Sequence, residues 1–359
     1  MHVDLDYFYA QCEENLNPTL HGKPVVVCVY SGRTDESGVV STCNYEARKY
    51  GVKSGIPIAL AKKLLGTAEA HFLPTNRSLY TAVSDRIMET LETYGDLFER
   101  VGIDEAYLEL SSGTSGDFDR AYSIAHEIKQ KVLEQEQITC SIGVAPNKLL
   151  AKIASDLNKP NGLTVVRPED VETFLGGLSV DKIPGVGKIT EEKLDRLKIK
   201  TISELETHDV SVLHEIFGIS LGTYLYKAAR GENEEPVKER EQPTQLSRIA
   251  TLKRNTHDTS EILPVLEDLA NSATDKLTEK AMTCKTVSIL AILGDLSIHS
   301  KSRTFDSPTH DLRTIAQTSK DLLEQFLQSE PTATVRRVGV RLSGLAARSG
   351  QTDISKFLR

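Results

Sequence analysis

The sequence predicts an α+β chain built from several domains. Three observations carry this. Period-2 strand patterns alternate with helical stretches from Val3 to about Arg167, strand signals vanish from there to Gly231, and strands and helices return after a polar segment. At roughly 100–200 residues per domain, 359 residues suggest two to four units.

The opening run Val3-Asp4-Leu5-Asp6-Tyr7-Phe8 alternates, so Val3 and Leu5 face a core while Asp4 and Asp6 share the opposite face. Val25 to Tyr30 is a β-rich run after the turn signal Gly22-Lys23-Pro24. Asn44 to Tyr50 reads as a short helix stopped by Gly51, and Leu79 to Tyr94 carries Val83, Ile87, Met88 and Leu91 at helical spacing. Val101 to Leu110 alternates like a hairpin, with Val101 and Ile103 inward, then Ala106, Leu108 and Leu110, and with Asp104 and Glu105 at the tip. Asp119 to Gln135 is helical, Thr139 to Ala145 a strand, and Asn147 to Asn158 a helix. Short helices separated by glycines and prolines fill the strand-free stretch, and GENEEPVKEREQPT (231–244) reads as an extended linker. Arg248 to Leu342 is again α+β, and 346–359 is a tail.

Composition narrows the function classes. Apolar residues are 39%, no run approaches the roughly 20 apolar residues of a membrane span, and MHVDLDYFYA has no signal-peptide character, so a cytoplasmic protein is expected. The five cysteines are scattered without CxxC pairs, and the histidines lack HxxxH spacing, which argues against zinc and disulfides. The net charge of −8 weighs against nucleic-acid binding unless local patches supply the cations.

Bare carboxylates within a strand repel one another unless a cation compensates them. Hard divalent cations prefer carboxylate and phosphate oxygens, and a pair of them can activate a hydroxyl and stabilise a leaving pyrophosphate. That chemistry needs acids converging from separate segments, which Asp4 with Asp6 and Asp104 with Glu105 can supply; read singly, each pair is a solvated strand end.

Asp4-Leu5-Asp6-Tyr7-Phe8-Tyr9, Tyr45-Glu46-Ala47-Arg48, Ile103-Asp104-Glu105-Ala106-Tyr107-Leu108 and Lys159-Pro160-Asn161-Gly162 occur in order. Together they resemble the Y-family (lesion-bypass) DNA polymerases, in particular the archaeal branch related to bacterial DNA polymerase IV, over nearly the whole chain. The resemblance implies a right-hand architecture: a catalytic palm at 1–11 and 75–166, fingers at 12–74, a helical thumb at 167–231, a linker at 232–243, an α+β little finger at 244–347, and a tail at 348–359. It implies template-directed addition of deoxynucleotides to a primer 3′-hydroxyl, of low fidelity, by a monomer working in translesion synthesis. It also implies that Asp4, Asp104 and Glu105, with the Leu5 carbonyl, hold two Mg²⁺ ions (Mn²⁺ being an alternative), with Glu105 the acid most directly catalytic and Asp6 a supporting residue. The family's first strand usually begins a few residues before the position of Met1 here, which suggests a shortened start. His2 shares the face of Asp4 but is not expected to be a ligand.

Tyr45 and Arg48 share a face of the short helix, where a guanidinium can bind phosphate oxygens bidentately and a hydroxyl can add a donor. By resemblance they and Lys159 grip the incoming triphosphate, Arg33 in the Ser31-Gly32-Arg33 loop meets the template or nucleotide base, and Tyr9 is a steric gate against a ribose 2′-hydroxyl. Ile183-Pro184-Gly185-Val186-Gly187-Lys188 matches a helix-hairpin-helix turn, in which Gly185, Gly187 and Lys188 offer backbone N–H groups and a cation to a DNA phosphate. Arg248, Lys253 and Arg254, then Lys301 and Arg303, then Arg337 and Arg341 form basic segments that could track a duplex. In the tail, Gln351, Ile354, Phe357 and Leu358 resemble a sliding-clamp binding box, with Leu358 in place of the second aromatic.

Two other readings remain. A palm-type nucleotidyl cyclase would need neither the glycine hairpin, the basic second sheet nor the clamp tail. A catalytically weak DNA-binding scaffold should have lost an acid or a triphosphate residue, and all are present.

Overall fold

A computed structural model of the chain describes residues 1–239 and 243–348. The clamp-box residues Gln351, Ile354, Phe357 and Leu358 lie outside them. The chain separates into two units: one comprises Met1–Val29, Val40–Ile56 and the chain from Leu60 into the linker, and the other comprises Tyr30–Val39, Pro57–Ala59 and the chain beyond the linker.

Up to residue 229 the order is β1 (His2–Leu5), α1 (Phe8–Leu16), β2 (Val25–Tyr30), β3 (Gly38–Cys43), α2 (Tyr45–Arg48), α3 (Ile58–Leu65), β4 (His71–Pro74), α4 (Arg77–Glu92), β5 (Leu97–Arg100), β6 (Glu105–Glu109), α5 (Ser111–Thr114), α6 (Phe118–Glu136), β7 (Cys140–Val144), α7 (Lys148–Leu157) and β8 (Leu163–Val165), then α8 (Val171–Gly176), α9 (Lys188–Arg196), α10 (Ile202–Glu206), α11 (Val210–Phe217) and α12 (Ile219–Ala229). The main sheet runs β5-β6-β1-β7-β8, with β1 central and antiparallel to both neighbours. Val3 and Leu5 enter a core with Ile87 and Leu91 of α4 and Ile128 and Val132 of α6, as their alternation predicts. Burying each such side chain contributes about 1.5–3 kcal/mol.

The other face of β1 carries His2 and Asp4. Gly143 of β7 is the register partner of His2, and a Cβ there would lie 2.0 Å from the Ala151 carbonyl oxygen. Only glycine lets α7 lie this close to the sheet, and that closeness brings the polar side of α7 over the acids. Asn147 starts α7 by accepting a hydrogen bond from Leu150 N.

The hairpin at the acids differs from the expectation. Its first strand is β5, starting at Leu97, and Val101 is 40% exposed in the turn rather than inward. The Val101 and Gly102 N–H groups both donate to Glu105 O, closing a tight turn that breaks the alternation before Asp104. Ala106, Leu108 and Leu110 are buried as expected.

Residues 167–231 are helical, packed around Leu175, Ile183, Leu194, Leu213 and Leu225. The start of the linker is not free: Lys148 binds Glu99 at 2.8 Å and Glu235 at 3.1 Å, Lys238 N donates to Glu99, and Val237 is buried. Its acids and one valine find partners that a polar composition does not reveal.

The second unit adds β9 (Gln245–Thr256), α13 (Thr259–Glu279), β10 (Met282–Leu293), β11 (Ile298–Thr309), α14 (Leu312–Ser329) and β12 (Val335–Ser343). Its sheet runs β11-β10-β12-β9. One face packs Val287, Ile289, Val338 and Val340 against Ile262 and Leu266 of α13 and Leu323 and Phe326 of α14. No helix among the described residues is long and apolar enough to cross a membrane.

Candidate active site

Asp4 and Glu105 are register partners across β1 and β6, and the Leu5 N–H donates to Asp104 O at 2.8 Å. The backbone therefore gathers the three predicted acids at one end of β1. Asp4, Leu5, Tyr9, Tyr45, Arg48, Asp104 and Lys159 line one pocket of about 370 Å³, together with Tyr7, Ser41, Thr42 and Ser54, which the sequence does not single out. Four far-separated segments thus meet where the motifs predict. A second pocket of about 470 Å³ shares Tyr45, Arg48 and Lys159 and extends to the Asp181–Val186 turn.

The acids have distinct surroundings. Lys159 Nζ lies 2.7 Å from Asp4 and 2.6 Å from Asp156. Burial pushes the Asp4 carboxyl up to about 6, Lys159 opposing and Asp104 adding to the rise. Burial and then the charge of Glu105 raise Asp104. Glu105 is turned away from the pocket, toward Lys152 Nζ and toward His2 Nε2 at 3.3 Å; these bonds, His2 first, hold its carboxyl down at about 2. His2 is 1% exposed, is bonded through Nδ1 to Ser155 Oγ at 2.8 Å, and is lowered by burial to about 4, so its imidazole is neutral at pH 7.

Among the described residues, no three His, Cys, Asp or Glu side chains are grouped closely enough to hold one ion. The donor chemistry nevertheless fits hard divalent cations. Four carboxylates (Asp4, Asp104, Glu105, Asp156) face two ammonium groups (Lys152, Lys159), and Asp104 makes no ion pair among the described residues.

Asp6 has another role. It is 1% exposed and accepts from Thr139 Oγ1 at 2.9 Å, Ser141 Oγ at 2.7 Å and Asn161 N at 2.8 Å, tying β1 to β7 and to the turn that carries Lys159. Tyr7 stands between Asp6 and α1 in the left-handed region at φ 34, turning the chain so that Phe8 is buried and Tyr9 reaches the pocket. The Tyr9 ring stacks on Tyr80 at 4.3 Å and 12°, and the Tyr80 hydroxyl donates to Glu13. The Arg48 guanidinium lies 4.7 Å from the Tyr45 ring centroid, and its Nε donates to Cys43 O at 3.3 Å.

Arg33 is not in the pocket: it belongs to the second unit, where its guanidinium donates to Leu252 O at 2.6 Å and to Arg336 O at 3.3 Å. At the helix-hairpin-helix sequence, Gly185 adopts φ 86 and Gly187 caps α9, whose first residue is the exposed Lys188.

The basic segments of the second unit divide by face. Arg337, Gly339 and Arg341 share the face away from the helices, while Val338, Val340 and Leu342 are buried beneath. Arg248 pairs with Val340, Lys301 with Ile289 and Arg303 with Val287, so these three share the helix-covered face, contrary to a common basic surface. Arg248 Nε donates to Ser272 of α13, Arg303 pairs with Asp321 of α14 at 3.2 Å, and Arg254 pairs with Glu261. Strand parity and edge position decide this, and clustering in sequence shows neither. Lys253 is exposed beside the register shift between β9 and β12.

The residues missed from sequence are Lys152, Ser155, Asp156 and Tyr80, and His2 is placed there beside Asp4 but not as a partner of Glu105. Lys152, Asp156 and Lys159 at i, i+4 and i+7 form a charged stripe that was legible; the burial of His2 was not.

Three family descriptions match the chain: the impB/mucB/samB family over residues 3–156, its C-terminal domain over 243–355, and a DNA polymerase-iota thumb domain over 181–233. The chain is 46% identical to a DNA polymerase IV of Methanosarcina acetivorans, covering 99% of this chain and 98% of that one. It is 44% identical to a DNA polymerase IV of Nitrosopumilus maritimus, with the same coverage. Among solved structures it is similar to a Y-family DNA polymerase chimera of Dbh and Dpo4, with TM-score 0.90 and 41% identity over 96% of this chain and 98% of that one. It is also similar to an insertion ternary complex of Dbh DNA polymerase, with TM-score 0.70 and 40% identity over 96% and 98%. With Asp4, Asp104, Tyr45, Arg48, Lys159 and the Tyr9 ring in one pocket, and with these matches over its full length, the chain belongs to the Y-family of DNA polymerases, in the impB/mucB/samB family.

Proposed function

We propose that the pocket between β1, α2 and Lys159 is where this chain, as a template-directed DNA polymerase, adds deoxynucleotides to a primer 3′-hydroxyl in low-fidelity translesion synthesis. The observation that carries this reading is the single pocket lined by Asp4, Asp104, Tyr9, Tyr45, Arg48 and Lys159. The palm is residues 1–11 and 75–166, the fingers 12–74, the thumb 167–231 and the little finger 244–347, with the linker at 232–243.

Asp4, Asp104 and the Leu5 carbonyl, with Glu105 once its carboxylate exchanges Lys152 and His2 for a cation, would hold two Mg²⁺ ions, for which Mn²⁺ could substitute. When bound, these ions lower the pKa of the attacking hydroxyl and neutralise charge on the triphosphate. Lys159 and Arg48 pair with phosphate oxygens, and Tyr45 adds a hydroxyl donor. Tyr9, braced by Tyr80, fills the space a 2′-hydroxyl would need. The turn at Gly185, Gly187 and Lys188 offers N–H groups to a DNA phosphate, and the open sheet face with Arg337 and Arg341 follows the duplex backbone. Gln351, Ile354, Phe357 and Leu358 bind a sliding clamp, and the chain acts as a monomer in the cytoplasm.

The test is primer extension with Mg²⁺ and one deoxynucleotide at a time. Extension only by the nucleotide complementary to the template base is expected. Failure to extend with DNA binding intact, or addition regardless of template, would overturn the reading.

A further inference from the structure

We propose that Lys129 is a positioning residue: it fixes the turn that carries Lys159 and so sets the affinity for the incoming nucleotide. This rests on the reading that Lys159 grips the triphosphate.

Lys129 is a half-buried residue of α6, on neither wall of the pocket. Its ammonium donates to Cys140 O at 2.5 Å, Asn161 Oδ1 at 2.6 Å and Gly162 O at 3.1 Å. An ammonium has three N–H groups, and these acceptors use them all. None is a carboxylate, and Lys129 makes no ion pair among the described residues, so the lysine is a strut rather than a surface charge.

The strut joins three parts of the fold. Cys140 lies on β7 as register partner of Leu5, and α6 is held in the core beneath. The third part is the turn after α7. Asn161 adopts φ 57, its N–H donates to Asp6 at 2.8 Å, and Gly162 N donates to Ser141 Oγ at 3.1 Å. A Cβ on Gly162 would lie 2.5 Å from Asn158 O, so the turn is packed tightly on the end of α7. Asp6 and Ser141 hold the backbone N–H groups of the turn, and Lys129 holds its side-chain and carbonyl oxygens. Lys159, two residues before Asn161, leaves this turn with its Nζ on Asp4 and Asp156. Without Lys129, the oxygens of the turn lose their common donor while Lys159 keeps its charge. The predicted consequence is a loss of placement.

The experiment measures KM and kcat for single-nucleotide insertion, with DNA affinity and thermal unfolding, in Lys129→Met, Lys129→Arg, Asn161→Gly, Lys159→Ala and the double variant Lys129→Met/Lys159→Ala. Lys129→Met should raise nucleotide KM about tenfold with kcat changed less than about threefold. DNA affinity should be unchanged, and Lys129→Arg should recover part of the loss. Asn161→Gly keeps the left-handed backbone and removes the side-chain amide whose Oδ1 accepts from Lys129, so it should give a smaller change of the same kind even if Lys129→Met folds poorly. The double variant should be no worse than Lys159→Ala, because both act through one group.

A KM rise in Lys159→Ala with none in Lys129→Met or Asn161→Gly would overturn this proposal alone. So would effects that multiply in the double variant. An unchanged KM in Lys159→Ala would overturn the reading of Lys159, and this proposal with it.

Discussion

Asp4 on β1 and Glu105 on β6 are register partners on the sheet face that α7 covers, yet a different lysine neutralises each: Lys159 meets Asp4, and Lys152 meets Glu105. Asp104, between them in the hairpin tip, has no lysine of its own among the described residues. Without divalent ions this end of the sheet carries excess negative charge.

Relieving that charge should stabilise the protein and remove its response to metal. Asp104→Asn should be more stable than the unaltered chain in EDTA by about 1 kcal/mol, because burial and Glu105 both disfavour the Asp104 anion. Mg²⁺ added at constant ionic strength should raise the unfolding temperature of the unaltered chain, through binding to the native state. That rise should disappear in Asp104→Asn/Glu105→Gln, as thermal unfolding monitored by circular dichroism will show.

Asp6 and Asp4 are two residues apart and should fail differently. Asp6→Ala removes the common acceptor of Thr139, Ser141 and Asn161, which should cost about 3 kcal/mol in chemical denaturation. Asp4→Asn should cost little stability and abolish turnover. Equal stability losses in the two variants would contradict the division of roles.

Tyr9→Ala should raise ribonucleotide insertion relative to deoxynucleotide insertion by about 10²-fold or more, since the ring excludes one hydroxyl. Tyr80→Phe keeps the stacked ring and removes only its hydroxyl bond to Glu13, so sugar discrimination should stay near that of the unaltered chain. Discrimination ratios from competitive insertion check both.

On DNA, Arg337→Ala/Arg341→Ala should weaken binding and reduce the slope of log affinity against log salt by about 2. Arg254→Ala/Arg303→Ala should change the slope less, because Glu261 and Asp321 already pair with those guanidiniums. Fluorescence anisotropy at several salt concentrations distinguishes the pairs.

Much of this was legible in the sequence because it rests on local periodicity. The alternation of Val3 to Phe8 gave the face of Asp4, and the spacing of Tyr45 and Arg48 gave their common direction. What was not legible depends on long-range register. Arg248, Lys301 and Arg303 look equivalent to Arg337 and Arg341 until strand pairing puts them on the helix-covered face. Val101 looked inward because the turn closed by Glu105 O has no signature in composition. His2 and Lys152 lie 103 and 47 residues from Glu105, so no window of sequence joins them.

The most direct test of the account is single-turnover extension of a primed template with Mg²⁺, comparing the unaltered chain with Asp104→Ala/Glu105→Ala. The variant should bind the primed template as the unaltered chain does and lose at least about 10³-fold in rate, the scale expected when metal-held transition-state charge loses its support. Extension by the variant within about tenfold of the unaltered chain would mean that these acids do not carry the reaction.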